Sequence, residues 1–410
     1  MVPSGWERKL LVKVAEIRTG VAKGKKGLKD PIEVPYLRVA NVQDGHIDLT
    51  EIKTIEIERH QLERYSLLKG DVLMTEGGDF DKLGRGDVWQ SQITPCLNQN
   101  HVFAVRVDKS EMEPYFLAAL SGSHYGKTYF LSCAKRSTNL ASINSTQLKQ
   151  FPVLLPPLPE QRKISQVLST WDKAISTTER LIDNSKQQKK ALMQQTLTGK
   201  KRLLDYSGKL FDGEWEKHPI GKLCKSIVPG RNKPKLFEGN IPWVTTPEFQ
   251  GRFIPSKLQK NYISQSTLSD CGGKLVPKGA VVMAAVGELG LTAIATESLV
   301  LNQQLHAFVC NKNINNVYLS YWLANQKPYM ESVASKTTIM YMNKTNCESI
   351  PVLIPSILEQ QKIASLLTNA DKKIELLERQ LADLKQEKKA LMQQLLTGKR
   401  RVKLDEKEVA

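Results

Sequence analysis

Between residues 363 and 395 apolar side chains return at alternating steps of four and three: Ile363, Leu367, Ala370, Ile374, Leu377, Leu381, Leu384, Leu391 and Leu395. Only Lys388 interrupts the row, at the place the heptad from Leu384 to Leu391 gives to a core position. This period predicts one long helix with a coiled-coil seam. An earlier stretch keeps the register with Ile164, Leu168, Trp171, Ile175, Ile182 and Leu192, but sets Thr178, Ser185, Lys189 and Thr196 at the remaining seam positions. Alone it is a weak helix, so the economical expectation is that the two seams bury each other. Both stretches follow prolines, which block a helix upstream, and both place a glutamate (Glu160, Glu359) where a first turn favours negative charge. Both end at Thr-Gly, with Gly199 and Gly398 suited to a left-handed C-cap.

The two helices belong to a duplication. Residues 189–202 read KKALMQQTLTGKKR and residues 388–401 read KKALMQQLLTGKRR. Laying Pro152 on Pro351 sets an offset of 199 residues that holds without a gap from Phe151/Ile350 to Leu203/Val402, with about half the residues identical. Such a period is far above those of solenoids and marks a repeated unit of domain plus helix. The offset predicts that 1–203 and 204–402 are related by a rotation near 180° and that the helices run antiparallel. Upstream of each helix the plan repeats more loosely: Lys69-Gly70-Asp71-Val72-Leu73-Met74 answers Lys278-Gly279-Ala280-Val281-Val282-Met283, and Leu97-Asn98-Gln99-Asn100 answers Leu301-Asn302-Gln303-Gln304. Short β-branched runs at 34–42, 70–74 and 101–107, then a helix from Pro114 through Leu120, predict a mixed α/β domain. The expected fold is α+β, with domains at 1–158 and 204–357, helices at 159–203 and 358–403, and a tail at 404–410.

Composition narrows the function. The net charge is +17, and the helical stretches hold most of it, +6 over 160–203 and +5 over 359–403. With no apolar run of signal-peptide or membrane-spanning length, the expected setting is the cytoplasm and the expected polyanionic partner is nucleic acid, not a membrane. Six cysteines are scattered without a Cys-x-x-Cys, so free thiols are expected, with neither disulfides nor a zinc site. No phosphate-binding loop, dinucleotide fingerprint, zincin helix, nucleophile elbow or amino-methyltransferase tetrapeptide occurs. The acidic stretch 77–85 suggests a metal loop, but its internal counterpart 285–290 has one acid and no pair. No catalytic or metal-ligating residue is assigned.

The order of variable domain, Pro-rich lead-in with Glu-Gln-x-Lys-Ile (160–164 and 359–363), helix, and Ala-Leu-Met-Gln-Gln-x-Leu-Thr-Gly-Lys, all twice, resembles the specificity subunit of type I restriction–modification systems over essentially the whole chain. The resemblance implies two target-recognition domains separated by two antiparallel helices, each domain reading one half of a split double-stranded DNA target. It implies a non-catalytic chain on which two modification (methyltransferase) subunits and restriction/translocase subunits assemble, with S-adenosylmethionine, ATP and magnesium on those partners and none here. About 40 helical residues give a rod of about 60 Å, enough to span grooves one DNA turn apart. The alternatives are a stand-alone enzyme that modifies or cuts DNA, and a structural coiled-coil adaptor that touches none.

DNA contacts are expected in the loops that diverge between the copies. In the first, Lys23, Lys25 and Lys26 suit phosphates, Arg38, Asn41 and Gln43 leave a strand toward base edges, and Lys82, Arg85, Lys135, Arg136 and Ser137 occupy later loops. In the second, Arg231, Lys233, Lys235, Thr245, Thr246, Glu248, Lys336 and Thr337 hold the comparable places. Docking of modification subunits is expected on the repeated segments Glu160, Gln161, Met193, Gln194 and Gln195, and Glu359, Gln360, Met392, Gln393 and Gln394.

Overall fold

The computed structural model describes residues 2–23, 27–230, 232–249, 251–255, 259–335 and 338–404. Two compact units emerge, Met1–Arg180 with Arg379–Ala410 and Leu181–Glu378, so the boundary falls inside both long helices, Leu158–Thr196 and Ile357–Leu395.

In the first unit a four-stranded antiparallel sheet runs in the order Ala15–Thr19, Val102–Val107, Val72–Thr75, Gly86–Val88. The run expected at 34–42 divides: a strand Pro31–Leu37 pairs with Lys53–Glu58 and, in parallel, with Leu97–Asn98, and a 3-10 turn Val39–Asn41 follows it. The helix Pro114–Gly122 starts on its proline and buries Phe116, Leu117 and Leu120. The Pro-rich lead-in Pro152–Leu155 is itself a strand, antiparallel to Glu7–Leu10.

The second unit follows the same plan. A five-stranded sheet runs Cys224–Ile227, Leu305–Cys310, Val281–Ala284, Thr292–Ala295, Phe253–Ile254. Ile241–Val244 pairs in parallel with Leu299–Leu301 and is followed by a 3-10 turn Thr246–Glu248. The lead-in Pro351–Ile354 pairs with Glu216–Pro219.

Within each unit the start of one long helix packs beside the end of the other. Ile164 and Leu168 share a core with Leu391, Leu395 and Leu396, whereas Ile363 and Leu367 share one with Leu192 and Leu197. Ion pairs give the direction. In the first unit Glu160 meets Arg401, Asp172 meets Lys388 and Glu179 meets Lys385. In the second Glu359 meets Arg202, Asp371 meets Lys189 and Glu378 meets Lys186. As one number rises the other falls, so the helix segments run antiparallel in each unit. Every acid and base here has its counterpart 199 residues away. None of the predicted seam positions is exposed, and the polar ones are accommodated: Thr178 and Thr196 donate their hydroxyls to the carbonyls of Ala174 and Leu192. Gly199 and Gly398 take φ of 71° and 66°, as their C-cap role requires.

Candidate nucleic-acid interface

In the first unit a short hairpin, Lys135–Arg136 with Ala141–Ser142, adds to the two-residue strand Gly77–Gly78. A Cβ on Gly77 would sit 2.7 Å from the carbonyl oxygen of Ala141, so only glycine lets the hairpin approach this closely. The hairpin, the glycines, Val39, Glu76 and His101 line an open groove of about 470 Å³. Lys135, Arg136 and Ser137 are thus gathered on one wall, exposed, and the Lys82 side chain lies 3.4 Å from the Cβ position of Gly78. Leu140, 55% exposed, completes the rim. Sequence reasoning missed Glu76 and His101, whose carboxylate and Nδ1 lie 2.7 Å apart. The stretch from Asn98 into the following strand was the available signal, and His101 sits inside it.

The 3-10 turn behind Val39 separates the other candidates. Arg38 reaches the carbonyl of Glu51 through Nη2 at 3.2 Å, while its Nε is buried without an acceptor. Arg85 likewise keeps a buried Nε without a partner. Asn41, expected to reach a base edge, is 2% exposed: its Oδ1 accepts from the Arg38 N–H, and its Nδ2 donates to the carbonyls of Asp48 and Glu51. A side-chain amide spent this way caps the turn and has no edge left to offer. Gln43 donates to the Ala40 carbonyl at 2.6 Å, and Lys23 lies over the Tyr36 ring. Lys25 and Lys26 lie outside the described residues.

The second unit builds the same parts with other side chains. Tyr341 bridges to both Val286 and Ser335, and Gly287 donates to the Met340 carbonyl at 2.9 Å, so a hairpin again lies against a glycine-bearing strand end. Thr245 and Glu248 repeat the cap of Arg38 and Asn41: the Glu248 carboxylate accepts from the N–H and hydroxyl of Thr245, and from the Lys260 N–H at 2.9 Å. Glu248 is therefore a capping residue as Asn41 is. The Thr246 hydroxyl is buried without a partner. Lys233 and Lys235 are exposed, whereas Arg231, Lys336 and Thr337 lie outside the described residues.

The expected docking residues divide by burial. Glu160, Gln161, Glu359 and Gln360 are at most 2% exposed, which takes them out of any docking surface. Gln161 accepts from the Glu113 N–H, at the N-cap of Pro114–Gly122, and donates to the carbonyls of Glu111 and Pro156. Gln360 does the same with Asn315, Asn313 and Pro355. Glu160 and Glu359 hold the arginine forks of Arg401 and Arg202, over Trp6 and Trp215. These pairs tie each domain to a long helix. Met193 and Met392 are half-buried against the two cores, and Gln194, Gln195, Gln393 and Gln394 are exposed.

Among the described residues no three His, Cys, Asp or Glu gather as a metal site would need, and no helix is long and apolar enough to cross a membrane. The chain is similar to known proteins over nearly all its length. The provisionally assigned type I restriction enzyme MjaX specificity subunit of Methanocaldococcus jannaschii is 28% identical over 414 residues, covering 98% of this chain and 95% of that one. The type I restriction enzyme MjaVIII specificity subunit of the same organism is 24% identical, covering 98% and 94%. The solved HsdS subunit from Thermoanaerobacter tengcongensis shares the fold with a TM-score of 0.52 at 19% identity, covering 97% of this chain and 98% of that one. The model of the type I restriction modification DNA specificity domain matches residues 3–185 and again 212–386, and with both copies of the repeat taken up in this way, the chain belongs to that family.

Proposed function

We propose that this chain selects the DNA target of a type I restriction–modification enzyme, each unit reading one half of a split duplex sequence and the long helices setting the gap. The observation that carries this reading is the hairpin laid against a glycine in both units, bearing Lys135, Arg136 and Leu140 in one and Ser335, Met340 and Tyr341 in the other. A frame that repeats while its reading edge changes suits two different half-sites. The names of the relatives, all specificity subunits, support it.

The chain itself supplies no catalytic group in this reading. Methyl transfer with S-adenosylmethionine, and ATP-driven translocation and DNA cutting with magnesium, fall to partner subunits, two of them modification subunits. Docking rests on the exposed Gln194, Gln195, Gln393 and Gln394, whose match between the copies no buried contact accounts for.

The test is to produce the chain with its modification subunits in a host and map methylated adenines genome-wide. A single motif in two parts with a fixed gap is expected, together with no methylation when the purified chain alone meets DNA and S-adenosylmethionine. An unsplit motif, or transfer by the chain alone, overturns the reading.

A further inference from the structure

In the second unit Cys224 opens the edge strand Cys224–Ile227 and lies directly opposite Cys310, the last residue of Leu305–Cys310. The two sulfurs are 3.9 Å apart. The Asn311 N–H donates to the Leu223 carbonyl at 3.0 Å, which makes Cys224 and Cys310 a non-hydrogen-bonded antiparallel pair, the position where opposed side chains come closest. Cα separations there, about 4.5 Å, fall within the roughly 4.4–6.8 Å a disulfide spans.

The first unit is an internal control. Ala15 opens the strand Ala15–Thr19 opposite Val107, and the Asp108 N–H donates to the Val14 carbonyl at 2.8 Å, so the register is the same. Alanine and valine fill the position there, so the fold itself does not require sulfur at it. The other four cysteines behave differently: Cys96, Cys133, Cys271 and Cys347 each turn the thiol to a backbone carbonyl close in sequence.

We propose that Cys224 and Cys310 are an oxidation site, joined by a two-electron oxidant such as hydrogen peroxide into a cross-strand disulfide. Cys310 is half-buried and Cys224 buried, so the oxidant meets Cys310 first. Its thiolate attacks one peroxide oxygen, the O–O bond breaks, and a sulfenic acid forms as hydroxide leaves. The Cys224 sulfur then attacks the oxidised sulfur and expels the remaining oxygen. With the two thiol protons, both oxygens leave as water; each sulfur has given up one electron and the peroxide has taken two. In the reduced pair the hydrogen bond to Cys310, and then burial, hold the Cys224 thiol above its ordinary range. The bond fastens the start of the edge strand Cys224–Ile227 to the end of the neighbouring strand of the sheet, Leu305–Cys310.

The full chain, purified under reductant, is exposed to hydrogen peroxide, denatured, alkylated and digested. The expected product is one linked pair of peptides carrying Cys224 and Cys310, released by reductant, with the other four cysteines alkylated. Replacing the pair by the first unit's residues, Cys224→Ala with Cys310→Val, keeps the folded chain and removes the link. Full alkylation of Cys224 and Cys310 after oxidation, or links scattered equally among all six cysteines, overturns the proposal.

Discussion

The two units hold themselves together with the same residues and arm their hairpins with different ones. Glu160 with Arg401 recurs as Glu359 with Arg202, and Gln161 at the N-cap of one domain helix recurs as Gln360 at the other. The hairpins bear Lys135, Arg136 and Leu140 in one unit and Met340 and Tyr341 in the other. Identity between the copies therefore marks frame as readily as partner contact. Burial separates the two: a repeated polar residue without exposure belongs to the frame, and a repeated exposed one is free to meet a partner.

The harshest test of the shared frame is to remove its arginines. Glu160 and Glu359 keep 3% and 1% side-chain exposure, so truncating either arginine strands a buried carboxylate. Arg401→Ala should destabilise the first unit by about 3 kcal/mol, and Arg202→Ala the second by a similar amount. Glu160 retains a hydrogen bond from the Trp6 indole at 3.2 Å, whereas the Trp215 indole nitrogen is buried without an acceptor, so Arg202→Ala should be the more damaging. Urea unfolding followed by hydrogen exchange in each unit gives both values. If one substitution is silent, the equivalence of the frames fails.

These ties also show where the sequence was legible. Helix length, glycine ends, the duplication and the central strands at 72–75 and 102–107 follow from period and repeat, which depend on spacing alone. The Glu-Gln pairs did not read as buried, because a polar pair in a first helical turn looks solvated until the domain that covers it is placed. Asn41 misled for a related reason. The same amide suits an adenine edge and a backbone turn, and only the carbonyls of Asp48 and Glu51, 7 and 10 residues on, decide between them.

That ambiguity gives the next test, since two residues three apart should now fail differently. Asn41→Ala leaves the Asp48 carbonyl and the Arg38 N–H without that partner and the Glu51 carbonyl with Arg38 alone, and should cost the first unit about 1–3 kcal/mol of stability. Arg38→Ala leaves the Glu51 carbonyl its Asn41 donor, so it should cost less stability than Asn41→Ala and, where the proposed reading holds, weaken binding to the first half-site with relaxed sequence preference. Thermal unfolding beside DNA titration separates them. A stable Asn41→Ala chain with lost half-site preference would return Asn41 to the reading edge.

A smaller effect sharpens the contrast between the hairpins. Lys135→Ala with Arg136→Ala should lower duplex affinity and flatten the dependence of log K on log salt by about one unit per lost phosphate contact. Preference at the half-site read by the second unit should stay as it was. An unchanged salt slope would move the first unit's contacts off this hairpin.

The smallest expected difference is one of acid response, and it comes from a single core exchange. Phe103 lies opposite Met74 in the first unit, whereas His306 lies opposite Met283 in the second, with its Nδ1 buried and without a partner. Burial pushes the His306 pKa below its ordinary 6.5, against a weaker opposing pull from Glu348. The unfolded chain then takes up a proton at a pH where the folded chain refuses it. The neutral imidazole's contribution is full above pH 6.5 and is lost as the pH falls below it. In the first unit Asp87 acts in the opposite sense: burial raises its pKa, so the folded form binds the proton more readily than the unfolded one and gains relative stability as the pH falls toward 3.8. Acidification from pH 7 to 5 should therefore loosen the second unit before the first, seen as earlier hydrogen exchange across Leu305–Cys310 than across Val102–Val107. His306→Phe, which copies the first unit's residue, should shorten the lag to what Asp87 alone contributes. Equal acid sensitivity of the two strands in the unaltered chain would show that this exchange does not set the units apart.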